Sequence, residues 1–63
     1  MMSDDALATA LTQAIVIEKA ARAHWQAAAA LAEREAALLV VRQVTPVIRA
    51  LEDWVAMRAA EQT

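Results

Sequence analysis

The side chains able to do chemistry in this chain are few, and their spacing argues against most of it. There is one histidine, His24, and no cysteine. A metal site at a helical histidine needs another ligand three or four residues away on the same face. Positions 20, 21, 27 and 28 are all alanine, so no local site exists. The absence of cysteine removes thiolate ligands, redox pairs and disulfides. Glu33 and Glu35 are two apart and point to different faces of a helix, so they do not form an acid–base pair. No Ser-His-Asp, Cys-His or Glu-x-x-His spacing is present, and the lack of glycine excludes phosphate-cradling loops. The expectation is a protein that is not an enzyme and takes no cofactor and no metal.

The residues suited to recognition are more telling. Trp25 and Trp54 are the only aromatic side chains. Tryptophan is enriched at interface hot spots because it brings large apolar area with few rotors. Trp25 sits among alanines and reads as an anchor for another chain. Trp54, one turn after Leu51 and beside Val55, reads as core. Arg42, Arg49 and Arg58 would make a basic ridge if they share a face, able to meet acidic residues or nucleic-acid phosphates. The net charge of −2, from 8 acidic and 6 basic residues, is a poor footprint for nucleic acid. The longest uncharged run, residues 6–17, is too short to span a bilayer. The start, MMSDD, is acidic where a targeting leader would be basic, so a cytoplasmic setting is expected.

The elements that position these residues must be helices. The composition is 60% hydrophobic, but alanine supplies 18 of the 63 residues, and glycine is absent. Alanine-rich helices form readily yet bring little side-chain area to a core. Ser3 is a good N-cap, with Asp4 and Asp5 in the first turn. Thr45-Pro46 is the one stop signal, since Pro favours the first position of a new helix and restricts the residue before it. The pattern predicts a single all-α domain over residues 1–63. A long helix covers about 4–43, a shorter one about 46–60, and the tail from Glu61 to Thr63 frays. A helical hairpin assembling into a dimeric bundle is favoured over one long helix kinked at Pro46.

Seven-residue repeats mark the seam. Leu7, Ala14, Ala21, Ala28 and Glu35 form one column, Ala10, Ile17, His24, Leu31 and Leu38 the next, and Leu11, Glu18 and Trp25 flank them. Glu35 in an apolar column signals that the seam ends or changes partner there. From Val40 the apolar stripe moves to another face, as a chain reversal requires. A second helix starting at Pro46 cannot reach the alanine half. Ile17, Ala21, His24, Trp25, Ala28 and Leu31 are therefore the expected interface with a second chain. The functional expectation is a small interaction module, a homodimer that also binds or modulates a larger protein as inhibitor, antitoxin, adaptor or assembly subunit. The alternative is a small nucleic-acid-binding regulator using the arginines. Binding to nucleic acid or to a membrane is not expected.

Overall fold

The computed structural model describes residues 3–62. It is an all-helical hairpin of two antiparallel helices, α1 over Asp4–Ala27 and α2 over Leu31–Glu61. Ser3 caps α1 as its sequence position predicts: its Oγ accepts a hydrogen bond of 3.1 Å from the Ala6 N–H. Asp4 and Asp5 lie in the first turn, where the helix dipole favours negative charge. The molecule is 49 Å long and 18 by 15 Å across, close to the length expected for a 31-residue helix at about 1.5 Å per residue. Thr63 lies outside the described residues.

The chain reverses at Ala28–Ala30, not at Thr45-Pro46. Ala28 and Ala30 have extended backbone, with φ and ψ of −72° and 129°, and −78° and 135°. The Ala28 N–H closes α1 on the His24 carbonyl at 2.8 Å, and the Arg34 N–H opens α2 on the Ala30 carbonyl at 3.1 Å. No described residue takes a positive φ, so the turn needs no glycine. α2 continues through Thr45 and Pro46, with Pro46 on the exposed surface. The expected boundaries, a first helix to about 43 and a second from 46, are thus corrected.

Burial explains why the turn falls where it does. A proline in a helix interior costs about 3 kcal/mol. A reversal at Pro46 would leave most of α1 uncovered. The reversal at 28–30 lets α2 cover α1 along its whole length. It buries Leu7, Ala14, Ala37 and Ile48 and half-buries Leu11, Ala21, Trp25, Val41, Val44 and Leu51. Full burial of one leucine contributes about 1.5–3 kcal/mol, so a few such residues outweigh the proline. The buried residues recur at steps of three and four on both helices, the spacing of an antiparallel coiled-coil seam. Ala14 and Ala37, at 7% and 5% exposure, allow the backbones to approach closely.

Polar contacts fix the register. The Thr45 hydroxyl lies 2.7 Å from Glu18 Oε2 and 2.8 Å from the Val41 carbonyl oxygen, so it links the two helices near their middle. Glu18 also pairs with Arg22 Nε at 3.5 Å, the pair expected from their spacing of four. At the open end Asp4 accepts from Arg58 at 2.8 Å and from the Gln62 amide at 3.1 Å.

Candidate interaction surface

The hairpin has two unlike sides. On one, Ile17, Ala20 and His24 of α1 and Glu33, Ala36 and Val40 of α2 line an open groove of about 580 Å³ near the turn. On α2 the same side continues along Ala36, Val40, Gln43, Val47, Ala50, Trp54 and Met57, with steps alternating between four and three. All seven are exposed, Val47 at 49% and Trp54 at 51%. On α1 the matching run is Ala6, Ala10, Gln13, Ile17, Ala20, His24 and Ala27. Each helix therefore carries two heptad seams, one turned to its neighbour and one turned outward. Between His24 and Glu33 at the turn end and Arg58 and Glu61 at the open end, the outward seams carry no charge. The other side is more charged, with Lys19, Arg22, Arg42, Arg49 and Glu52, and Ile15 is exposed on it.

The expected interface residues divide between these surfaces. Ala21 is half-buried beside α2 and lines the floor of the groove, while Trp25 and Ala28 are half-buried within the hairpin near the turn. Ile17 and His24 are exposed on the apolar side. Leu31 is exposed at the first position of α2, where the turn takes it out of the Ile17–His24 column. The tryptophans exchange their expected surroundings. Trp25 packs near the turn with the Arg34 guanidinium 5.4 Å from its ring centre, within cation–π range. Trp54, read as core, stands half in solvent beside Met57. Leu39 and Val40 are also exposed.

The three arginines do not form one ridge. Arg42 and Arg49 are exposed and seven apart, on one face of α2. Arg58 lies nine residues after Arg49, about half a rotation round the helix. Its guanidinium is held by Asp4.

Near the groove the fold makes a pairing that the sequence reading missed. His24 Nε2 lies 4.0 Å from Glu33 Oε2 across the turn, with both side chains well exposed. An unbroken helix would hold residues 24 and 33 about 14 Å apart, so the misplaced break hid the pair. No hydroxyl or thiol nucleophile accompanies it. Among the described residues no cluster of three or more His, Cys, Asp or Glu side chains is placed to hold a metal. No described helix is long and apolar enough to cross a membrane. The chain matches no protein-family model, no curated protein and no solved structure.

Proposed function

We propose that this chain is a small, non-enzymatic helical interaction module, which self-associates and binds or modulates a larger protein. A cytoplasmic setting is part of the proposal. The observation that carries it is the exposed apolar side running through Ile17, Val40, Val47 and Trp54. Uncovered apolar surface with a polar border is the usual mark of a docking face. Trp54 is the residue on it with the most area to bury. Inhibitors, antitoxins, adaptors and assembly subunits all work through such faces, and fold alone does not separate them. The nucleic-acid reading loses support because Arg58 is engaged with Asp4 and faces away from Arg49.

The test compares affinity capture from the source cell by wild type and Trp54→Ala, both checked for helicity by circular dichroism. A larger protein retained by the wild type and lost with the variant supports the reading. Equal capture by both chains, or capture only of nucleic acid that salt releases, contradicts it.

A further inference from the structure

We infer that the apolar side is covered by a second copy of this chain, laid antiparallel across it about a two-fold axis at Val47. The inference rests on the reading of the chain as an interaction module and names what occupies its surface. The first argument is area. A compact monomer of 6.8 kDa exposes about 4,000 Å² by the usual scaling of surface with mass. This hairpin exposes 4833 Å². The excess, roughly 830 Å², is close to the ~800 Å² that each partner buries in a standard interface. Only four described residues are buried, which is little core for a chain with no cysteine for disulfides.

The second argument is self-complementarity. A two-fold interface pairs residue i with j and j with i. α2 spans residues 31 to 61, so its midpoint is residue 46, next to Val47. Reversed on itself about that point, the outward seam of α2 sets Trp54 over Val40 of the second copy and Met57 over Ala36. Val47 then meets Val47. The same axis reverses the outward seam of α1. Each Trp54 thereby enters the groove that the other copy forms with Ile17, Ala36 and Val40. The parallel alternative puts both Trp54 and both Met57 side chains in one layer and both grooves in another. One layer would be overfilled and the other void, against the uniform density of a packed interior.

The experiment measures oligomer mass by sedimentation equilibrium, with helicity followed by circular dichroism. Wild type should show twice the chain mass, and Trp54→Ala should weaken the dimer at least about tenfold, the scale of a hot spot. Val47→Cys should oxidise to a covalent dimer, because the residue meets its own copy at the axis. Arg49→Cys, on the more charged side, should not. A wild-type dimer that links through Arg49→Cys, or through neither cysteine, overturns the arrangement. A fully helical wild-type monomer overturns the second copy as occupant. If that monomer binds a larger protein and loses it on Val47→Asp, the module reading survives; if Val47→Asp changes no binding, both fall.

Discussion

Replacing Pro46 by alanine should stabilise the protein. Pro46 lies inside α2, fifteen residues after its first residue and on the exposed surface. It has no N–H to give the Arg42 carbonyl, and its ring crowds the preceding turn. Alanine restores the donor and relieves the crowding, worth about 3 kcal/mol at an exposed helix-interior position. The unfolded chain gains freedom when the proline is lost, which takes back about 0.4–1 kcal/mol. The net gain is about 2 kcal/mol, or a rise in Tm of about 8–16 °C at about 4–8 °C per kcal/mol for a domain this small. Thermal unfolding followed by circular dichroism at fixed chain concentration reads this directly, since self-association makes Tm depend on concentration. A Tm that is unchanged or lowered would refute the continuous helix. In that case Pro46 would be the first residue of a helix capped by Thr45, where proline is favourable.

Three further substitutions probe other parts of the fold. Ala30→Ser should stabilise by about 1 kcal/mol, because Ala30 caps α2 without a side-chain hydrogen bond and Glu33 stands where a capping box needs it. In an unbroken helix the same change would destabilise slightly, so urea denaturation separates the two cases. Leu7→Ala, at the most deeply buried large side chain with 2% exposure, should cost about 2–5 kcal/mol. That is a large part of the roughly 3–9 kcal/mol a 63-residue chain can hold, and a loss under about 1 kcal/mol would show that the seam does not pass through Leu7. Thr45→Val should cost about 1.5–3 kcal/mol by removing the hydroxyl that meets the Glu18 carboxylate. In a double-mutant cycle with Glu18→Gln the two effects should be coupled rather than additive.

The class of fold and the capped start of α1 were readable from the residues, since Ser3, the heptad columns and the absence of glycine have no other consistent reading. The place of the turn was not. Pro46 is a strong local signal, while Ala27–Ala30 is a run of good helix formers with none. What sets the turn is the match between two seams distant in sequence, Leu7 to Trp25 and Ala37 to Val55. That match becomes visible only when the helices are laid side by side. Glu35 held the clue: an acid in the Leu7–Ala28 column shows that the column ends before it. The candidate surface was partly readable. Ile17 and His24 lie on the exposed side as expected, but the same columns that marked Ala21 and Trp25 for a second chain are satisfied within the hairpin. The apolar residues after Val40 divide in the fold between an inner face with Val44 and Leu51 and an outer face with Val47 and Trp54.

The reversal at Ala28–Ala30 underlies everything said of the surface, because it alone sets Ile17 beside Val40. It also brings Ala8 and Ala59 to the same small cavity at the open end. Spin labels at cysteines replacing Ala8 and Ala59, diluted with unlabelled chain and measured by double electron–electron resonance, test it most directly. The fold predicts a single short distance, under about 20 Å given adjacent helices 8–10 Å apart and two label arms. A distance beyond about 30 Å, as a helix unbroken to residue 43 at about 1.5 Å per residue would give, contradicts the account.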